Sequence, residues 1–374
     1  VDLWGGSMKM AFGGSNLKGE MQSTAVNYSS VLIPVATMTT VTGEQTTKAM
    51  FAELSVPIVG KPNAQPLLRR LDLNLAERYE DNGRFSKTVP KYGVSWTPVQ
   101  SLLVRANWSE GFRAPGITEY MVAPSIVTST LLDPRRTPTS TTGIVESRGS
   151  NLNPRPELSE NTFAGIVYEP SWVKGLSLQV NYYDTVQRDV LQLITAQSII
   201  NNEALFTDRI TRAAATPADT ALNQPGQITA ISRIFVNFGQ VVNRSMDFVA
   251  DYRLPGEQLG RWRLNLAASR TLEATRQLAP GQPAVILEDD TAAPPKWRIN
   301  AAVFWSKGDW NASAFVSYLD GFTVNSAGSN LVANSTAVTF FPTPSITKLD
   351  LRGGYEFRKG LWRSYGKGLR VTLG

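Results

Sequence analysis

The 374-residue chain contains no cysteine and no histidine. The first absence excludes disulfides, thiolate metal sites and cysteine nucleophiles. The second removes Ser-His-Asp triads, His-ligated zinc and the usual acid–base group near neutral pH. Only carboxylate or lysine chemistry is left to an enzyme, and the chain is read as a non-enzyme without a cofactor. Long apolar runs are missing too. No stretch of about eighteen apolar residues occurs, so no helix is expected to span a bilayer. Hydrophobic residues make up 42%. The N-terminus, VDLWGGSMKM, has neither a starting Met nor the charged and apolar regions of a signal peptide. It is expected to lie inside a longer product. Clustered charge is also missing. The net charge of +6 comes from 37 basic and 31 acidic residues scattered through the sequence. With no basic patch and no known module, nucleic acid is not an expected partner.

What is present is alternation. In Leu71–Trp108, Leu71, Leu73 and Leu75 alternate with Asp72, Asn74 and Ala76, and Leu102, Val104, Ala106 and Trp108 alternate with Leu103, Arg105 and Asn107. Period two gives each strand one apolar and one polar face. The same pattern returns from Leu176, Met246, Trp262, Trp297, Trp310, Leu349 and Leu369. Further strands are expected at Leu3–Phe12, Leu17–Tyr28, Thr47–Val59, Lys87–Trp96, Thr162–Glu169 and Ile231–Phe238, about fifteen in all. Gly13-Gly14 reads as the turn of a hairpin. Ser29–Glu44 reads as an extended loop, and the connection after Gln187 as holding a short helix. A soluble sandwich would hide the apolar faces in a core, whereas a membrane barrel would turn them to lipid.

Two regularities favour the barrel. Short turns near 98, 172, 256 and 308 alternate with long connections near 135, 208, 283 and 332, as in outer-membrane barrels with short periplasmic turns and long outer loops. The connection from Ala114 to Leu158, about 45 residues, is long enough to suggest function or disorder. Trp108, Tyr182, Tyr252, Trp262, Trp297, Trp305, Trp310, Tyr318 and Tyr355 fall on the apolar parity near strand ends. Headgroup-level girdles need this placement.

Several segments resemble those of TonB-dependent outer-membrane receptors. AMFAELSVPIVG, LDLNLAERYEDNG and TVPKYGVSWTPVQSLLVRANWSEGFRAP match consecutive strands of such receptors. NLNPRPELSENTFAGIVY, NRSMDFVADYRLP and GLRVTLG resemble later ones. The resemblance covers nearly the whole chain. It implies a barrel of about 22 strands filled by an N-terminal plug. On that reading residues 1–374 are one partial, all-β, antiparallel transmembrane barrel domain, without plug, TonB box, about six early strands and the final strand. It also implies uptake of a scarce ligand, such as a siderophore, cobalamin or oligosaccharide. The implied partners are the TonB complex, outer-membrane lipid and lipopolysaccharide, and the small-molecule ligand. Arg78, Arg113, Tyr183 and Arg298 are then expected at the extracellular rim of the lumen, where cations beside an aromatic suit an anionic ligand. The competing expectation pairs these arginines with acidic neighbours or with the plug. Glu77, on the lipid parity, is expected at the rim. Two other readings stay open: a passive porin of about fourteen to sixteen strands, and a soluble carbohydrate-binding β-protein.

Overall fold

Residues whose side chains alternate in polarity can satisfy both faces only if each face meets a different medium. The computed structural model describes residues 1–28, 36–121, 125–237, 239–254, 258–277, 284–286, 295–325, 340–357 and 369–373. Its main element is one antiparallel sheet of 14 strands. The wall runs in chain order: β1 (Lys9–Tyr28), β2 (Ala36–Val59), β3 (Arg70–Asp81), β4 (Ser86–Val99), β5 (Leu102–Arg113), β6 (Glu157–Tyr168) and β7 (Leu176–Arg188). It continues through β8 (Gln240–Leu254), β9 (Arg261–Gln277), β10 (Trp297–Lys307), β11 (Trp310–Leu319), β12 (Ile346–Phe357) and β13 (Leu369–Leu373). Each wall strand pairs with the next, and Ala284–Ile286 adds a short ladder beside β9. Among the described residues the sheet does not close, and β1 and β13 are its edges.

Two of the expected strands are one. Gly13 and Gly14 lie inside β1, paired with Phe51 and Met50 of β2. The glycine pair mimics a turn signal, yet a Cβ at Gly13 would stand 2.7 Å from the Phe51 ring. Its missing side chain makes room for that ring. The loop expected over Ser29–Glu44 is also corrected, because Ala36–Glu44 belongs to β2; residues 29–35 lie outside the described residues. Lys48 is the first β2 residue to pair with β3. The β1–β2 ribbon therefore projects well beyond its neighbour. The expected strand at Ile231–Phe238 is not in the wall either: Ile228–Ile234 joins a separate sheet in the loops. The turn expected at Pro255-Gly256 and the middle of the connection near 332 lie outside the described residues.

The ladder shows how the wall is tilted. From Asp72 one cross-strand row passes through Ser95, Arg105, Gly165, Asn181, Asp247 and Ser269 to Arg298. It begins two residues from the short-turn end of β3 and finishes nine residues from the short-turn end of β10. The strands are thus staggered by about one residue per step, as the tilted strands of a barrel require.

The two faces keep their expected characters. Leu73, Leu75, Val94, Ile166, Leu178, Val180, Leu266 and Leu351 are exposed on one face. Among the described residues no core covers them, as a lipid-facing wall requires and a soluble sandwich does not. Aromatic pairs border this apolar band. On the long-loop side, Tyr92 stacks on Trp108 with ring centroids 5.9 Å apart, and Phe248 on Trp297 at 6.3 Å. On the short-turn side, Trp262 meets Trp305 at 6.2 Å and Trp310 meets Tyr355 at 4.7 Å. Indole N–H groups there donate to turn carbonyls: Trp96 to Leu67 (3.1 Å), and Trp262 and Trp305 to Leu259 (3.2 and 2.9 Å). An amphipathic ring with its polar edge satisfied suits a headgroup boundary. Leu75 pairs with Tyr92, so Glu77 is the next residue outward on that face, beyond the Tyr92–Trp108 stack.

The facing assignment has a direct test. Val104 pairs with Trp96 and Ile166 on the apolar face, and Asn107 with Gly93 and Phe163 on the polar one. Val104→Arg is expected to cost about 2–4 kcal/mol of assembly, while Asn107→Arg is tolerated. The heat-modifiable, folded fraction of each variant in outer-membrane extracts is the measurement, and equal fractions would reverse the assignment.

Candidate functional site

The long-loop end of the wall carries a folded cap. It is built from two connections, 114–156 and 189–239. The first supplies the strands Ser125–Leu132 and Ser140–Gly149; the second supplies Ile210–Arg212 and Ile228–Ile234. They form one four-stranded sheet, and its Ala230–Ile234 runs parallel to Val145–Gly149. A parallel pair joins segments far apart in sequence. Behind it lies the largest hydrophobic cluster among the described residues: Ile144, Ala196, Ile199, Ile200, Ile228 and Ile231. The helix Ala196–Asn201 is one side of this core, capped by the Thr195 hydroxyl, which accepts from the Ser198 N–H at 3.1 Å. The expected short helix is therefore present as several short turns, with Pro217–Ala221 among them.

Charge is buried in the cap only where it is paired. Glu146 is 1% exposed. It accepts from Arg148 (2.7 and 2.8 Å), the Ser129 hydroxyl (2.5 Å) and Arg233 of the other connection (3.3 Å). Asp133, fully buried, accepts two bonds from Arg212 (2.6 and 3.2 Å), whose guanidinium also donates to Glu203 (2.8 and 2.7 Å). Both networks tie one connection to the other. Burial alone pushes the Glu146 carboxyl up, but the bonds from Arg148, Ser129 and Arg233 outweigh it and hold the group at about 2. The Arg212 bonds likewise draw the Glu203 carboxyl down against burial.

A node at the rim fastens the cap to the wall. Arg113, the last residue of β5, donates to Glu119 (3.0 and 3.1 Å) and to Glu157, the first residue of β6 (2.5 Å). Glu157 also accepts from the Leu191 N–H at the start of the second connection (2.7 Å). Arg155 pairs with Asp189 at 2.6 Å. The projecting ribbon leans on the same region: the Gln45 amide donates to the Pro115 carbonyl at 3.2 Å, and Gly43 lies against Ile117 and Met121.

The four residues expected at the rim do not form one cluster. Arg113 is bound to two carboxylates. Arg78 donates to Glu80 (3.2 and 3.1 Å). Tyr183 meets Phe163 with centroids 5.2 Å apart. Arg298 is exposed and has no ion pair among the described residues. Tyr183 and Arg298 are three strands apart in the sheet, about 15 Å at the usual strand spacing. Sequence reasoning missed the cap. Its signal was the alternation in SIVTSTLL and ITAISRI, which is present but short.

The staggered, antiparallel wall is the fold that solved structures share with this chain. The profile of the TonB-dependent receptor-like β-barrel family fits residues 2–374. The chain belongs to that family. Its members are outer-membrane β-barrel receptors and transporters, not enzymes. Among solved structures, a variant of the ferric enterobactin receptor PfeA from Pseudomonas aeruginosa, bound to enterobactin, superposes with a TM-score of 0.61 at 14% identity, covering 94% of this chain and 45% of that one. The siderophore receptor PirA from Acinetobacter baumannii gives 0.51 at 11% identity, covering 95% and 54%. The copper transporter OprC gives 0.51 at 14% identity, covering 93% and 46%. The chain thus spans roughly half the length of these structures, which share its fold. No curated protein matches it.

Two outcomes follow for the cap. Ile200→Ala is expected to cost about 2–5 kcal/mol. Limited proteolysis should then nick both connections together while the wall keeps its heat-modifiable migration. The Glu146 carboxyl is held below its ordinary value of about 4.3. Its ionised form therefore stabilises the cap fully above about pH 4, and that contribution is lost as the pH falls through about 2. Hydrogen exchange in 125–149 and 194–234 should accelerate over that window, and Glu146→Gln should remove the dependence.

Proposed function

We propose that the protein carrying this wall takes up a scarce small-molecule ligand across the outer membrane by TonB-coupled transport. The single observation behind this reading is the family match across the wall. The architecture agrees with it. The polar face of Asp72, Asn74, Arg105, Asn107, Asn161 and Asn181 suits a wet lumen. The folded cap gives the long-loop end a shaped entrance, which a passive pore does not need. The named neighbours, two siderophore receptors and a copper transporter, place iron chelates first among the ligands to try. Coupling would run through a plug in the lumen and a TonB box. The outer-membrane lipid and lipopolysaccharide would meet the apolar band and its aromatic borders.

Arg78, Arg113, Tyr183 and Arg298 are the candidate ligand contacts at or below the rim. Of these, Arg298 has the freest charge, and Arg113 acts first as the fastening of the cap. Removing one charge-assisted contact to ligand costs about 1.5–3 kcal/mol. Arg298→Ala is therefore expected to weaken binding of a ferric siderophore roughly tenfold or more. Growth on ferric siderophores as the iron source, in strains with and without TonB, tests the function. Growth that requires the receptor but not TonB would identify a passive channel instead.

A further inference from the structure

The outer face of the wall carries an apolar groove of about 460 Å³ on β9 to β12, beside the short-turn border. Ala312 and Gly353 pair in one cross-strand row, next to Trp305, and Ala314 and Leu351 pair in the row toward the middle of the band. Ala312, Ala314 and Gly353 are the floor, and Trp305 and Leu351 stand at its sides. The Trp310–Tyr355 pair lies at the short-turn end.

Gly353 answers to nothing within the described residues. It lies inside β12 on extended backbone, and a Cβ there would meet no described atom within 4 Å. Its neighbour Gly354 is different, because a Cβ there would stand 2.7 Å from the Asn311 amide oxygen. A glycine inside a strand gives up packing, and it often marks the close approach of a ligand or another backbone. At Gly353 that approach is open only from the face turned to lipid.

A cation stands at the mouth of the groove. Lys307 follows Trp305 on the same parity, at the short-turn end of β10. Its exposed ammonium donates to the Gln258 carbonyl at 2.8 Å and has no carboxylate partner among the described residues. An ammonium has three donors, so two are left. The Trp305 N–H is already given to Leu259, which leaves its ring for hydrocarbon. A cation at headgroup level, over an apolar groove that leads into the bilayer, matches an amphiphile with a phosphate at one end and an acyl chain at the other. A second copy of this wall would cover Gly353 but leave the Lys307 ammonium without an anion.

We propose that this groove binds one phospholipid of the periplasmic leaflet, with its phosphate on Lys307 and an acyl chain along Ala312, Ala314 and Gly353. The site depends on the facing of the wall and not on TonB-coupled uptake.

The test uses the full-length protein in mild detergent, with dioleoyl phosphatidylglycerol as the probe and glycerol 3-phosphate as the chainless control. Native mass spectrometry counts the bound lipid. One phosphatidylglycerol should bind saturably where further lipids do not, and glycerol 3-phosphate should not bind. Gly353→Leu, which fills the groove, should lower the affinity about tenfold. Lys307→Gln should lower it about fivefold, the size of one lysine at a membrane surface. Ala164→Leu, on the same face at β6, should bind as the wild type does. Heat-modifiable migration shows that each variant has a folded wall. Failure of the lipid to saturate the wild type would overturn the site, and so would equal affinity in a folded Gly353→Leu variant. An equal loss in Ala164→Leu would reduce the site to the general lipid coat and overturn it. A dimer that Gly353→Leu separates would overturn it too, because the groove would then hold a second copy.

Discussion

The backbone ladder is the constraint on which the rest depends. A strand that pairs on both sides has no freedom to turn over, because a slip of one residue would exchange every apolar side chain for a polar one. The row from Asp72 to Arg298 carries that register across eight strands. Everything else is placed by it. The apolar band, the aromatic borders and the level of Arg113 at the rim all follow from which residue faces which. Inside hydrocarbon an unpaired backbone group costs several kcal/mol, so the ladder is both the support of the wall and its selector of faces.

The cap obeys a different economy. It sits in water and has a core of its own, made mostly of isoleucine. A small core leaves little margin, and its buried carboxylates would be costly without partners. Here each is held by arginine drawn partly from the other connection, as with Glu146 by Arg233 and Asp133 by Arg212. Removing one member of such a pair leaves a buried charge, which typically costs about 3–5 kcal/mol. The two connections are therefore stable mainly as a pair. The rim node adds the attachment: Glu157 accepts from Arg113 on one side and from Leu191 on the other. Glu157 thus joins the wall to the second connection, while Arg113 reaches the first through Glu119.

Much of the wall was legible in the sequence because alternation, turn length and aromatic position are local signals. β5 was read at its start from Leu102 and Val104, and the girdle from Trp262, Trp305 and Trp310. Gly13-Gly14 misled because a glycine pair between apolar residues is also a hairpin signal, and only the Phe51 ring on the facing strand tells the cases apart. Ile231 looked like a wall strand because period two says nothing about which sheet a strand joins. The cap was illegible for a related reason. Its strands are short, and its decisive contact pairs Ala230 with Val145, which no local window contains. The site was only partly legible. Tyr183 was expected on the polar face, where it lies beside Phe163, but Arg105 and Phe163 come together only through the pairing of β5 with β6.

The parallel pairing of Val145–Gly149 with Ala230–Ile234 also has an evolutionary meaning. Outer loops ordinarily vary in length one at a time, since each returns to the wall without consulting the next. In this protein an insertion in one connection displaces the core beneath both. Selection on the one is then selection on the other, because a substitution at the Val145–Ala230 seam changes what its partner strand must fit. Variation in such a lineage should concentrate at the surface of the cap and spare the seam.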